Sequence, residues 1–197
     1  KSFRPQLVKT PHGYVELYLT PDGSSLPPVA FCQRHDRDGE YAPPHRINHH
    51  ANLWALQSVG ATRIVGLYSV GGLKQAFGPG TLVLADDYLN PWDPATYNEG
   101  QADGKFITPV LDAELRRSVE TALQGEESAR TLKNHGVYIQ TRGPRFETQA
   151  EVRMLSTYGD VIGMTGAKEA DLSQELGIPF AMLARVDNFA HGVTDAA

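Results

Sequence analysis

The chain is short of three things, and each shortage excludes something. It has one cysteine, Cys32, so no disulfide can form within it. That usage fits a reducing compartment, and a cytoplasmic location is expected. It has no apolar run near the ~20 residues of a membrane-spanning helix, and no signal-peptide pattern. It has no block of Lys and Arg of the kind that tracks a phosphate backbone, and its formal net charge is −5. Membranes and nucleic acids are therefore not the expected partners. His45, His49 and His50 lie close in sequence. No acidic residue joins them at a ligand spacing, and Pro44 disturbs the start of any helix there, so no metal site is expected. The chain opens at Lys1 without an initiator Met and stops at Ala197 without a closing element, as an excerpt of a longer protein would.

What is present is a globular composition. Of 197 residues, 41% are hydrophobic and 21% charged, enough for one domain with a sizeable core. Val15–Leu19 alternates at period two, as a half-buried strand does, and Val29–Cys32 reads as its partner. Asn48 can cap a helix that ends at Gly60. Arg63–Tyr68 and Thr81–Ala85 read as short buried strands. Asn90–Gly104 reads as a long loop, and loops of that length are uncommon unless functional or disordered. Leu111–Leu123 is helical by pattern. Gly136–Gln140, Asp160–Met164 and Pro179–Val186 read as strands. Thr148 and Glu151 have capping-box spacing, and Ala167–Leu176 is a helix stopped at Gly177. Helix, glycine stop and apolar strand in alternation give an α/β class, with a twisted mixed sheet flanked by helices.

Five places carry residues suited to chemistry. Arg34-His35 follow a strand, and an Arg fork beside an imidazole suits phosphate or carboxylate, although a solvated loop carries such pairs too. Tyr68-Ser69-Val70-Gly71-Gly72 reads as a strand entering a glycine turn, where backbone N–H groups and the Ser69 hydroxyl can approach an anion. The Gly-Lys-Ser/Thr ending of a Walker loop is missing. Phe146 can stack on a planar ligand and Glu147 can accept from ring N–H groups or sugar hydroxyls; the plainer alternative puts Phe146 in the core. Met164 can line an apolar sugar face, and Thr165 can meet an anion at a helix N-terminus. Asp187-Asn188 follow the last apolar strand, where a carboxyl group serves as a general acid or simply as a helix cap. If the strands are parallel neighbours, their ends bring these places to one sheet edge.

At these residues the chain resembles the trimeric purine nucleoside phosphorylase and methylthioadenosine phosphorylase family. The run Gly143-Pro144-Arg145-Phe146-Glu147-Thr148-Gln149-Ala150-Glu151 with the later Gly163-Met164-Thr165 is the specific part. Arg34-His35, Asn48 to Leu56, Val70 to Leu73 and Gly78-Pro79-Gly80 support it in the same order. The resemblance implies a homotrimer that splits a purine nucleoside with inorganic phosphate into free base and ribose 1-phosphate, with no metal or organic cofactor. It implies that Arg34, His35, Ser69 and Thr165 bind phosphate, that Met164 packs on the ribose, and that Phe146 and Glu147 meet the base. Asp187 would protonate or hydrogen-bond purine N7 as the base leaves. The family's N-terminal glycine-rich phosphate loop and its C-terminal closing helix have no counterpart in this sequence. Glu147 matches the 6-oxopurine enzymes, whereas Asp187 matches the 6-aminopurine, methylthioadenosine-type enzymes with Phe189 in place of their second Asp. The base therefore stays open at this stage, and a catalytically weak nucleoside-binding protein on the same fold is the alternative.

Overall fold

The computed structural model describes residues 3–37, 40–101, 104, 106–126 and 131–194. Two compact units divide the chain, Lys1–Thr62 and Arg63–Ala197.

In the first unit, β1 (Arg4–Thr10), β2 (Gly13–Leu19) and β3 (Ala30–Phe31) form an antiparallel sheet in that order. Val8 pairs with Val15, so Val8, Val15 and Leu17 point to one buried face. That alternation is what period-two patterning dictates. Helix α1 (His49–Ser58) packs there, burying Ala51, Leu53 and Ala55. Asn48 caps it as expected, accepting from Ala51 N at 3.0 Å, and its Nδ2 donates to His12 O at 2.8 Å. Strand β1 leaves no clear pattern in the sequence, because the face that carries buried Val8 is otherwise polar, with Arg4, Gln6 and Thr10, while apolar Leu7 is exposed. A two-residue ladder, β4 (Asp36–Arg37) with β5 (Glu40–Tyr41), occupies what reads as plain loop.

The second unit is built on β6 (Ile64–Gly72), β7 (Leu82–Leu84), β8 (Asp87–Leu89), α2 (Ala113–Leu123), β9 (Leu132–Lys133), β10 (Val137–Gln140), α3 (Gln149–Leu155), β11 (Val161–Gly163), α4 (Gly166–Glu175) and β12 (Phe180–Phe189). The strand order is β8-β10-β11-β6-β12-β7-β9. Strands β6 and β12 are parallel, β10 and β11 are parallel, and β11 runs antiparallel to β6. The sheet is thus mixed, with helices on both faces. Ala167 and Ala170 of α4 join Tyr68, Tyr138, Val161 and Met182 in one core, while Val152 and Leu155 of α3 join Ile139, Ile162 and Leu73 in the other.

Two corrections matter for the site. Gly71-Gly72 is not a turn: β6 runs through it, paired with β12 on one side and β11 on the other. Flanking strands override the weak strand preference of glycine. Asp187-Asn188 also lies inside a strand, because β12 extends to Phe189.

Candidate functional site

The region from Thr141 to Glu169 leaves β10, makes α3 and returns along β11. Thr141 N donates to Gly163 O at 2.9 Å, extending the β10–β11 pairing by one residue. Gly143 has φ +68°, and a Cβ there would lie 2.7 Å from Met164 Sδ. Both the backbone angle and the close approach require glycine. The two ends of the stretch are therefore side by side. The capping box at α3 forms in both halves. Arg145 forks onto Glu151 at 2.8 and 2.7 Å, and that guanidinium, with the Thr148 N–H, holds the Glu151 carboxyl down at about 2. A carboxyl whose folded value is depressed contributes above its unfolded value and loses its contribution as the pH falls through the folded one. The cap therefore persists through neutral pH.

Phe146 is 80% exposed, so it is not core, and its ring is available at the surface. Glu147 Oε1 accepts from the Thr141 hydroxyl at 2.6 Å. It also lines an open cleft of about 280 Å³ with Trp92, Thr141, Met154 and Leu155. Of the sequence-predicted site residues, Glu147 alone lines that cleft. Trp92 is a residue that sequence reasoning missed. Its only signal was its place in the long loop, whose length itself pointed to function. The structure laces the early part of that loop to α4. Lys168 pairs with Asp93 at 2.6 Å. Asp171 accepts from Tyr88 Oη at 2.6 Å and Ala95 N at 3.3 Å. Glu175 takes the Thr96 hydroxyl and Tyr97 N, each at 2.6 Å. Burial raises the Asp171 carboxyl above its ordinary value, and burial, with Asp171 beside it, raises the Tyr88 phenol. Trp92 Nε1 donates to Gln140 O at 2.7 Å, which fixes the indole as a wall.

Ser69 and Asp187 meet on the exposed face of the sheet. Arg185 pairs with Ser69 and Val186 with Val70, but Asn188 is the residue opposite Gly71. Asp187 is the extra residue of a β-bulge, a device that re-aims side chains and is over-represented beside active sites. The Ser69 hydroxyl donates to Asp187 Oδ2, and Arg185 Nη1 lies 3.1 Å from Asp187 Oδ1. Asn188, the next residue on the bulge, is exposed and donates through Nδ2 to Phe189 O at 2.8 Å. Beyond it, Ala190 N donates to Gly72 O, and His191 Nε2 sits 3.3 Å from Gln149 Nε2 at the start of α3. Gly71 lies against Ile162 of β11. Ser69 and Asp187 thus meet across β6 and β12, and Gly143 and Met164 meet where β10 and β11 end. The strands are not all parallel neighbours, since β11 runs against β6.

Thr165 is buried and its side chain makes no capping bond to α4. An anion held by the N–H groups of the α4 N-terminus, as the sequence suggests, is not what the geometry offers. Tyr138 Oη accepts from Thr165 N and Gly166 N at 3.2 and 3.1 Å, and Gln140 Oε1 accepts from Ala167 N and Lys168 N at 2.8 and 3.3 Å. These leading amides are already satisfied.

Arg34 and His35 lie in the first unit, on the turn between β3 and β4, each half-buried. His35 Nδ1 is 3.1 Å from Ala42 O and so carries the proton, while its ring stacks on Tyr41 with centroids 5.8 Å apart. His45 sits in a separate helical turn, Pro44–Arg46, and His49 opens α1, so they do not share a helical face. Among the described residues no group of three or more His, Cys, Asp or Glu could hold a metal ion. No described helix is long and apolar enough to cross a membrane.

Known proteins resemble this chain in sequence and in fold. The family model described as "Phosphorylase superfamily" matches residues 26–197. A protein of Archaeoglobus fulgidus named "Probable 6-oxopurine nucleoside phosphorylase" is 38% identical over 188 residues, covering 94% of this chain and 74% of the relative. One of Methanosarcina acetivorans named "Probable S-methyl-5'-thioinosine phosphorylase" is 37% identical over 190 residues, covering 95% and 70%. The methylthioadenosine phosphorylase of Schistosoma mansoni, solved with tubercidin, superposes with a TM-score of 0.80 at 22% identity, covering all of this chain and 77% of its own. At that identity the likeness concerns the fold, a mixed sheet flanked by helices.

Proposed function

Since the chain belongs to the phosphorylase superfamily, we propose that it catalyses phosphorolysis of a 6-oxopurine nucleoside. Phosphate oxygen bonds to ribose C1′ as the C1′–N9 bond breaks, the electron pair leaves with N9, and the purine takes up one proton, balanced by the one that hydrogen phosphate gives up on becoming the ester. The products are free base and ribose 1-phosphate, so phosphate is a co-substrate and no cofactor is needed. The observation that carries this reading is that both curated relatives are named for nucleosides of 6-oxopurines. Those names support Glu147 as the residue that reads the base. A 6-oxopurine presents N1–H, a donor, where adenine presents an acceptor. Glu147 offers an acceptor to match, with Thr141 occupying only its Oε1.

In this reading Ser69 and Thr165 hold phosphate, Met164 supports the ribose, and the exposed Phe146 closes on the base. Asp187 meets N7, with Asn188 beside it on the same bulge. A ribosyl cation-like transition state needs the anion on one face and hydrogen bonding to the leaving base on the other. We further propose that the working enzyme is a cytoplasmic homotrimer.

The test is base selectivity of the full-length protein, measured as kcat/KM on inosine, 5′-methylthioinosine and adenosine. The inosine-type substrates are expected to be preferred by about 10⁴-fold, the scale at which a site built to hydrogen-bond its substrate rejects a mismatched partner. Equal or better use of adenosine contradicts the reading. Thr141→Val should lower kcat/KM on inosine by about tenfold through loss of one hydrogen bond to a charged group, and Thr141→Ser should restore it. An unchanged Thr141→Val enzyme would remove Glu147 orientation from the account.

A further inference from the structure

Tyr68 and Ser69 are adjacent on β6 and point to opposite faces of the sheet. Ser69 reaches the exposed face and Asp187. Tyr68 is buried on the other side, and its hydroxyl donates to Glu169 Oε2 at 2.5 Å. Glu169 is 6% exposed, in the first turn of α4, four residues after Thr165. Strand β10 completes the arrangement. Tyr138 and Gln140, on one face of it, take the leading amides of α4. The rings of Tyr68 and Tyr138 lie 5.7 Å apart at a tilt of 47°. Three glycines make room for them. A Cβ at Gly66 would overlap the Tyr68 hydroxyl, and one at Gly163 would overlap the Tyr138 hydroxyl. One at Gly166 would lie 3.1 Å from Tyr68 Cζ and 3.2 Å from Tyr138 Cζ.

A buried carboxyl group is costly unless it is hydrogen-bonded. Here it joins two elements that each carry a proposed phosphate ligand: β6 carries Ser69 and α4 follows Thr165. We propose that the Tyr68–Glu169 pair is a positioning device for the phosphate site, setting Thr165 of the α4 start against Ser69 of β6. The inference rests on the assignment of Ser69 and Thr165 to phosphate. Neither Tyr68 nor Glu169 touches the substrate; both act through the residues they hold.

The experiment is calorimetric titration of inorganic phosphate into the full-length protein, its Tyr68→Phe and Glu169→Gln variants and the double variant. Michaelis constants for phosphate and nucleoside and the thermal midpoint are measured alongside. Tyr68→Phe keeps the ring that fills the glycine cradle, so the fold is retained. Each single variant should weaken phosphate binding about tenfold, and the double variant no more than either single, because coupled residues are not additive. The Michaelis constant for nucleoside should stay within about twofold. A lower thermal midpoint with phosphate affinity unchanged would show a merely structural pair and overturn the proposal. Additive losses, or an equal rise in both Michaelis constants, would overturn it as well, as would absence of phosphate binding by the unaltered protein. If the unaltered protein binds phosphate and the variants lose it, but no nucleoside is split, the positioning role stands and the phosphorolysis reading falls.

Discussion

Replacing Asp187 by Ala is expected to lower nucleoside turnover by about 10²–10⁴-fold, the range of general acid–base assistance, while phosphate affinity stays within about twofold. The reason lies in the bulge. An extra residue in β12 puts Asp187 on the exposed face of the sheet, where the Ser69 hydroxyl and the Arg185 guanidinium both contact its carboxyl group. A carboxyl group held from two sides is oriented before substrate arrives, and such preorganisation is what a leaving-group contact requires. Steady-state kinetics with separate phosphate and nucleoside titrations distinguish the outcomes. A parallel loss of turnover and phosphate affinity would move Asp187 into the anion site with Ser69. A larger loss in Asn188→Ala than in Asp187→Ala would move the role one residue along the bulge, to the amide.

Gly72→Ala should be the most damaging single methyl addition in the second unit, costing about 3 kcal/mol or more, at the upper end of the overpacking range. A Cβ at this position would overlap the backbone carbonyl oxygen of Phe77, with the carbonyl carbon at 3.1 Å and Val186 Cγ1 at 3.4 Å. Backbone cannot step aside as a side chain does. The neighbouring Gly71→Ala is the control, because its nearest neighbour is the Ile162 methyl at 3.2 Å, which can shift. Its cost should stay near about 1 kcal/mol. Chemical denaturation of both variants measures the difference. Equal and small effects would mean that the Gly72–Phe77 approach does not constrain β6, and the placement of Ser69 at its end would lose its support.

These two residues also show what was legible in the sequence. Local signals translated directly. Asn48 caps α1, the Thr148–Glu151 box forms in both halves, and Gly177, at φ +69°, follows the end of α4. Each is decided within four residues of chain, so spacing suffices. The Gly143-Pro144-Arg145-Phe146-Glu147 run was legible for the same reason. Contacts between distant segments were not. Gly71-Gly72 looks like a turn until β11 and β12 are placed on either side of it. Asp187 looks like the residue after a strand, because a bulge leaves no mark in residue type. The amides of α4 look open to an anion, because the groups that fill them, Tyr138 and Gln140, lie 27 residues earlier on another strand. The loop from Asn90 reads as irregular chain, yet three charged residues of α4 hold it.

The account stands on one reaction, the attack of phosphate on ribose C1′. Incubating the full-length protein with inosine, with and without inorganic phosphate, and quantifying hypoxanthine, ribose 1-phosphate and free ribose tests it most directly. Hypoxanthine should form only when phosphate is present, in equal amount to ribose 1-phosphate, with no free ribose. Hypoxanthine released at the same rate without phosphate, together with free ribose, would make water the nucleophile and contradict the account.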